Sequence, residues 1–137
     1  MTKKNVVYDR VREELFRAFP ELWQRIESTF GSYYDLEKET PEAYPIFEDV
    51  VQKLVFELLV SGQNETLLTR LFLFFEELAN SPDPNVHRDL LEISIIEPLV
   101  AQRENALRAW KYMGPRTREL ARFEAHEQGR DKEPPFV

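Results

Sequence analysis

Residues 64–80 can form a helix that is apolar around most of its circumference, within a chain of 137 residues. Its apolar side chains cover more than one helical face: Leu67, Leu68, Leu71, Phe72, Leu73, Phe74, Phe75, Leu78 and Ala79. Such a helix has to be surrounded by other elements, so we predict that it is the central helix. The predicted centre of the core consists of Leu71, Phe72, Phe75 and Leu78. Arg70 is expected to reach an edge or a carboxylate.

The rest of the chain also repeats its apolar residues with a helical period, and no stretch alternates like a strand. Helix breakers divide it at Pro20, Gly31, Gly62, the 80–84 cluster and Gly114-Pro115. This pattern predicts an all-α fold of about seven helices packed as antiparallel pairs. We expect one helical domain over residues 1–127, because a second core would leave each half too small. Residues 128–137 contain glycine and prolines among charges and are expected to form a flexible C-terminal tail.

The fifth predicted helix has a distinctive start. Asp83 is positioned to cap it, and Pro84 suits the first helical position. The expected inward stripe of this helix is Val86, Leu90, Ile93 and either Ile96 or Glu97. An Asp-Pro-x-Val start is how a HEAT-type repeat enters its second helix, so the fold is predicted to be partly HEAT-like. A generic helix start is the alternative interpretation, and a regular repeat array is not supported.

The last two predicted helices meet at Gly114-Pro115. Proline is preformed for a helix start, and glycine can adopt backbone angles that other residues avoid. We therefore expect this pair to set the angle between the two helices. Four side chains are predicted to point inward from them: Leu107, Trp110, Leu120 and Phe123.

Charge is distributed unevenly along the chain. The net charge is −7, and residues 31–99 carry fourteen acidic and four basic side chains. Nucleic-acid binding is not expected, because it needs a basic surface. Two interpretations of the acidic block remain open. The charges either keep helix faces solvated or form a surface that attracts a basic protein partner.

A candidate partner-binding surface lies in the acidic block, where tyrosines stand among carboxylates. Its predicted residues are Tyr33, Tyr34, Glu37, Glu39, Glu42, Tyr44, Glu48 and Asp49. Tyrosine adds rigid contact area at protein interfaces. The alternative is that the tyrosines cover the ends of the core helices.

Residues that carry familiar chemistry are scarce. The chain has no cysteine, which excludes thiolate catalysis and cysteine-ligated metals. His87 and His126 belong to no metal or catalytic motif, and no glycine-rich phosphate loop is present. Glu92 and Glu97 could converge with Glu76-Glu77 for acid/base work, although solvated carboxylates are the simpler interpretation. No catalytic residue, metal or cofactor is therefore predicted.

The apolar runs indicate no membrane segment. The longest uninterrupted run, residues 71–75, is far shorter than a transmembrane helix, and the N-terminus offers no apolar stretch of signal-peptide length. We expect no membrane partner and a cytoplasmic location.

Two stretches, residues 74–92 and 110–120, resemble a family of small, uncharacterised helical bacterial proteins. The Tyr-Met-Gly-Pro-x-Thr segment at 112–117 is the most distinctive part. The resemblance covers roughly residues 44–123. It implies an all-α fold, a bacterial source and an immunity-type or interaction protein rather than an enzyme. It implies no particular functional residues.

These observations predict a non-enzymatic, protein-binding domain. One version is a bacterial immunity protein that neutralises a toxin through its acidic surface. The alternative is a small helical adaptor or regulatory module with a different partner. An enzyme is the least favoured class, because the usual ligands and nucleophiles are missing. The oligomeric state is left open.

Overall fold

The computed structural model describes residues 6–137, and this part of the chain forms seven helices and no strand. The predicted all-α fold is thereby confirmed. Residues 1–5 of the predicted 1–127 domain lie outside the described residues. Buried side chains from Val6 to Phe136 contribute to one hydrophobic core.

The first four helices contain the start and the centre of the core. Helix α1 is Val11–Ala18, after a 3-10 turn at Tyr8–Arg10, and α2 is Trp23–Phe30, after a 3-10 turn at Pro20–Leu22. Helix α3 covers residues 43–61 in three parts, Ala43–Ile46, the π-helical Phe47–Val51 and Gln52–Ser61. Helix α4 is Glu65–Ala79. Pro20 thus separates α1 from α2 as expected, because it removes a backbone donor.

Three further helices follow α4 in the chain. Helix α5 covers residues 85–101, with π-helical winding over Asn85–Ile96 and α-helical winding over Glu97–Ala101. Helix α6 is Arg103–Ala109, followed by a 3-10 turn at Trp110–Tyr112, and α7 is Pro115–Glu127. Helix α4 contacts α3, α5 and α7, so it is the central helix, as predicted.

The predicted core centre is confirmed, because Leu71, Phe72, Phe75 and Leu78 are all fully buried. The aromatic rings of Phe72 and Phe75 meet edge to face, with centroids 5.2 Å apart. Leu73 lies on the outer side of the same helix and is 63% exposed. One stripe of α4 therefore faces solvent although its sequence is apolar there.

Arg70 reaches a carboxylate, as expected. Its guanidinium donates to both carboxylate oxygens of Glu21, at 3.0 and 3.2 Å, and to the backbone oxygen of Ala18 at 2.7 Å. The arginine thereby fixes α4 to the turn between α1 and α2.

Asp83 lies just before α5, and its side chain binds the start of the helix, as predicted. One carboxylate oxygen accepts from the backbone N–H of Asn85 at 3.0 Å, and the other accepts from the N–H of Tyr8 at 2.9 Å. The second bond ties the start of the described chain to the start of α5.

The predicted stripe of α5 is wrong at Ile93, which is 43% exposed. Helix α5 winds with i→i+5 hydrogen bonds over its first twelve residues. This wider turn shifts side chains around the axis relative to an α-helix. Glu92 is buried instead, which the sequence pattern did not suggest.

Two further inward predictions are wrong. Leu107 is exposed on α6, and Phe123 on α7 is 51% exposed. Alanines fill the inner faces at these places: Ala106, Ala109, Ala121 and Ala125. Small side chains let these helices approach their neighbours closely, which leaves no room for the larger residues.

Residues 128–137, expected to form a flexible tail, are placed against the helices. The Phe136 ring is buried and meets the Trp110 ring edge to face at 5.8 Å. The Arg130 side chain donates to the backbone oxygen of Ala101 at 3.2 Å, at the end of α5. The aromatic contact and this hydrogen bond attach residues 128–137 to the helices, which the glycine and proline content of the segment did not suggest.

Candidate functional site

An acidic cleft lies between α1 and the segment that leads into α3. It encloses about 550 Å³ and is lined by Asp9, Arg12, Glu13, Phe16, Glu39, Thr40 and Glu42. The Arg12 guanidinium donates to the backbone oxygens of Thr40 and Pro41, each at 3.1 Å. Arg12 is therefore engaged in holding the two walls together.

The carboxylates of the cleft form few ion pairs with the described residues. Glu13 forms one weak, exposed ion pair with Arg10 at 3.9 Å. Among residues 6–137, no ion pair involves Asp9, Glu39 or Glu42. Among the described residues, four carboxylates and one guanidinium therefore line the cleft, which leaves it with a net negative charge.

The residues of the predicted binding surface fall into two groups. The carboxylates are exposed, and so is Tyr33, at 82%: the exposed carboxylates are Glu37, Glu39, Glu42, Glu48 and Asp49. Tyr34 is half-buried against the ring of Phe30, and the Tyr44 hydroxyl donates to the backbone oxygen of Asp89. Tyr34 and Tyr44 therefore support the fold, whereas Tyr33 is left for contact.

Asp9 and Glu13 belong to the cleft, but the sequence analysis did not select them. They stand four residues apart, a spacing that places two side chains on one helical face. This spacing is the feature of the sequence from which the two residues could have been selected. What could not be read from the sequence is that this face lies beside Glu39 and Glu42.

A second cluster of interest is a pair of carboxyl groups between α5 and α7. Glu92 on α5 and Glu124 on α7 are 7% and 8% exposed, and these two helices are in contact. Burial, together with the negative charges of Glu92 and Glu97, raises the pKa of Glu124 to about 7. Burial also raises the pKa of Glu92 above its ordinary value. The pair can therefore hold one proton near neutral pH.

Acidic side chains do come together near Glu92, but they are not the full set that the sequence analysis considered. Glu97 acts on the pair electrostatically, but Glu76 turns away to the start of α7. Glu124 was missed because it is 32 positions from Glu92 in the sequence and only the packing of α5 on α7 joins them.

A concavity of about 280 Å³ adjoins Glu92. Its lining residues are His87, Arg88, Glu92, Arg116, Glu119, Leu120 and Phe123. The His87 Nδ1 donates to the backbone oxygen of Ser81 at 2.8 Å. That ring is thus oriented by the turn that precedes α5.

Glu76 caps α7 from a neighbouring helix. One carboxylate oxygen accepts from the backbone N–H and the hydroxyl of Thr117, at 2.8 and 2.7 Å, and the other accepts from the N–H of Arg116 at 2.9 Å. Burial alone would raise the pKa of Glu76, but these hydrogen bonds together bring it below its ordinary value of 4.5. The carboxylate satisfies backbone donors that a helix start leaves open.

Gly114 has φ −78° and ψ 176°, so its backbone angles are ones that other residues also adopt. A Cβ atom at this position would lie 2.5 Å from Cδ and 2.6 Å from Oε1 of Glu76. Glycine is needed here because the capping carboxylate passes directly over the backbone.

Within residues 6–137, no group of three or more His, Asp or Glu side chains is arranged to hold a metal ion. In the same range, no helix has the length and apolar character that crossing a membrane would require.

Comparison with known proteins places the chain in a family. Neither a curated protein nor a solved structure matches it. Residues 12–128 match a domain of unknown function, DUF7674, over a range that includes Glu39, Glu42, Glu92 and Glu124. Because this match covers most of the sequence, the chain belongs to the DUF7674 family.

Proposed function

We propose that this domain binds a basic protein partner through the acidic cleft. The observation that carries the proposal is the set of four carboxylates around one cleft, Asp9, Glu13, Glu39 and Glu42. A lysine or arginine side chain that entered it would meet negative charge on both walls. The cleft is about the size of a small-ligand site, which is ample for one or two such side chains.

The surrounding surface favours the same kind of partner. Residues 31–99 contain fourteen acidic and four basic side chains, and a field of one sign speeds encounter with an oppositely charged protein. Tyr33 stands exposed on the segment that forms one wall. An aromatic residue of this kind supplies the desolvated contact that slows dissociation.

The biological form of this proposal is a bacterial immunity protein, located in the cytoplasm, that neutralises a toxin by covering a basic surface on it. Its support is the charge pattern and the cleft. The alternative is a small adaptor with another basic partner. A toxin gene immediately beside the gene for this chain would favour immunity, and a regulatory gene in that place would favour the adaptor.

Reversing two carboxylates of the cleft should weaken binding through slower association. The partner is first captured from a lysate of the source bacterium with the full-length chain, and is then purified for kinetic measurements. We expect Glu39→Lys/Glu42→Lys to reduce the association rate constant by about 10-fold or more at low salt. The salt dependence of association should flatten, because fewer opposite charges remain to be screened.

Glu104→Lys/Glu127→Lys is the matched control. It changes the net charge equally, on exposed residues of α6 and α7 that do not line the cleft. The control should associate nearly as fast as the wild-type protein. Equal association rates for wild type and the Glu39/Glu42 variant would refute the proposed site, and equal slowing by both variants would show an effect of net charge alone.

Tyr33→Ala should change the dissociation rate constant rather than the association rate constant. Tyr33 is 82% exposed, whereas the half-buried Tyr34 packs on Phe30. We expect faster dissociation by about 5- to 30-fold, corresponding to a contact worth roughly 1–2 kcal/mol, with little change in association. Unfolding midpoints measured in parallel should be unchanged. An unaltered dissociation rate would exclude Tyr33 from the interface.

A further inference from the structure

A concavity beside the start of α7 is lined by arginine side chains and shares no residue with the acidic cleft. It encloses about 690 Å³ between the end of α4, the turn after α6 and the first half of α7. A volume of this size is typical of sites for small molecules. The charged residues that line this arginine concavity are Arg116, Arg118, Arg122, Glu76 and Glu119.

The two carboxylates of the arginine concavity are already engaged. Glu76 accepts from backbone N–H groups at the start of α7, and Glu119 forms an ion pair with Arg116. Within residues 6–137, no ion pair involves Arg118 or Arg122. The five residues before that range include no acidic side chain. Two guanidinium charges in the concavity therefore lack a counter-charge from the chain.

The side chain and backbone of Trp110 hold these two guanidinium groups beside each other. The Cζ of Arg118 lies 4.9 Å from the centroid of the Trp110 ring, and that of Arg122 lies 5.1 Å from it. Arg118 also donates from Nε and Nη2 to the backbone oxygen of Trp110, at 3.2 and 2.9 Å. The ring is packed in turn against Phe136. Groups that are oriented before a ligand arrives bind it at a lower entropic cost.

Both arginines retain hydrogen-bond donors for an anion. A guanidinium has five N–H donors, of which Arg118 uses two on Trp110. Arg122 forms no hydrogen bond with the described part of the chain. Like charges four residues apart on a helix repel each other, and an oxyanion between them would remove that cost. Guanidinium groups suit this role because their parallel N–H groups match the oxygens of phosphate.

We propose that Arg118 and Arg122, held on Trp110, bind a phosphate group in the arginine concavity. A phosphate monoester carries a charge of about −1.5 to −2 near pH 7, which matches two guanidinium charges better than one carboxylate does. The source of the group is either free phosphate or a phosphorylated small molecule, for which the concavity has room. The site is separate from the acidic cleft, so either proposal can fail without the other.

Titration of the full chain with inorganic phosphate at about pH 7.5, where the ion is mostly doubly charged, tests the site. Sodium chloride keeps the ionic strength constant, and NMR follows the indole N–H and the arginine Nε–H signals. We expect saturable shifts of the Trp110 indole and of the Nε–H groups of Arg118 and Arg122. The indole of Trp23, on α2 outside the concavity, should not shift.

Arg122→Gln should weaken phosphate binding by about 10-fold or more, because it removes a charge and its paired donors. Arg122 is exposed, so the unfolding midpoint should stay the same. Arg103→Gln is the matched control, on an exposed arginine of α6 that lies outside the concavity and removes the same charge. It should bind phosphate as the wild-type protein does.

Adenosine 5′-monophosphate, titrated in the same way, distinguishes the two sources of the phosphate group. Tighter binding than inorganic phosphate would assign the site to a phosphorylated small molecule, and equal or weaker binding would assign it to free phosphate. In either case Arg122→Gln should lose the affinity. The proposal would be overturned by the absence of saturable shifts with both probes or by equal affinity of wild type and Arg122→Gln. It would also be overturned if a glutamate-rich peptide bound more tightly than both probes, since the arginines would then serve an acidic protein.

Discussion

Phe75→Ala is expected to lower the free energy of unfolding by about 3–5 kcal/mol. Phe75 is fully buried on the central helix, and its ring contacts that of Phe72. Removal of the ring forfeits its transfer free energy and leaves a cavity that the surrounding helices fill only in part. Most natural domains are stable by only about 5–15 kcal/mol, so the loss should appear as a fall in melting temperature of roughly 10–20 °C.

Leu73→Ala on the same helix is the matched control. Leu73 is 63% exposed, so its truncation should cost less than about 1 kcal/mol. Thermal and urea unfolding followed by circular dichroism measure both variants. If Phe75→Ala melted within a degree or two of wild type, the assignment of Phe75 to the core centre would be wrong.

Gly114→Ala is expected to cost about 2–4 kcal/mol, although alanine is normally the better residue near a helix. The added Cβ would overlap the Glu76 side chain, with its nearest atom 2.5 Å away. The carboxylate would have to leave the Arg116 and Thr117 donors. Hydrogen bonds to a charged group contribute up to about 1.5–3 kcal/mol each, solvent reduces this at the half-buried Glu76, and overpacking adds to their loss.

A double-mutant cycle separates this explanation from a simple backbone effect. Glu76→Ala should itself destabilise the protein, and it removes the atoms that the new Cβ would meet. Gly114→Ala should then cost almost nothing in the Glu76→Ala background, which gives a large coupling energy. Glu77→Ala, on the exposed neighbouring residue, serves as the background without coupling. Equal costs of Gly114→Ala in all backgrounds would show that Glu76 is not the reason for the glycine.

Local patterns predicted the features of the fold that depend on local chemistry. The apolar surface of α4 identified the core, and the single arginine among its hydrophobic residues implied the carboxylate that proved to be Glu21. The Asp83 cap could be predicted because capping joins residues two positions apart. These inferences need only periodicity and the hydrogen-bonding capacity of nearby residues.

Contacts between distant parts of the chain could not be inferred in this way. The Glu76 carboxylate and the backbone of Thr117 are 41 residues apart in the sequence, and no periodicity reports such a separation. The π-helical winding of α5 is a second reason why the sequence did not predict these contacts. An α-helical period predicts Ile93 inside and Glu92 outside, whereas the π-helical start of α5 buries Glu92 and exposes Ile93. The carboxyl pair thus depended on two features that the residue types alone do not encode.

Helix α7 lies between two glutamates, the half-buried Glu76 and the buried Glu124, whose pKa values are shifted in opposite directions. A helix has a macrodipole, with partial positive charge at its N-terminus and partial negative charge at its C-terminus. Glu76 is ionised beside the positive end, while Glu124 stands in the last turn, where the dipole opposes ionisation. Acid removes the first contact once the pH falls through the lowered pKa of Glu76, and base adds a negative charge at Glu124 above about pH 7. The packing of α7 is therefore expected to be most stable between these two pKa values.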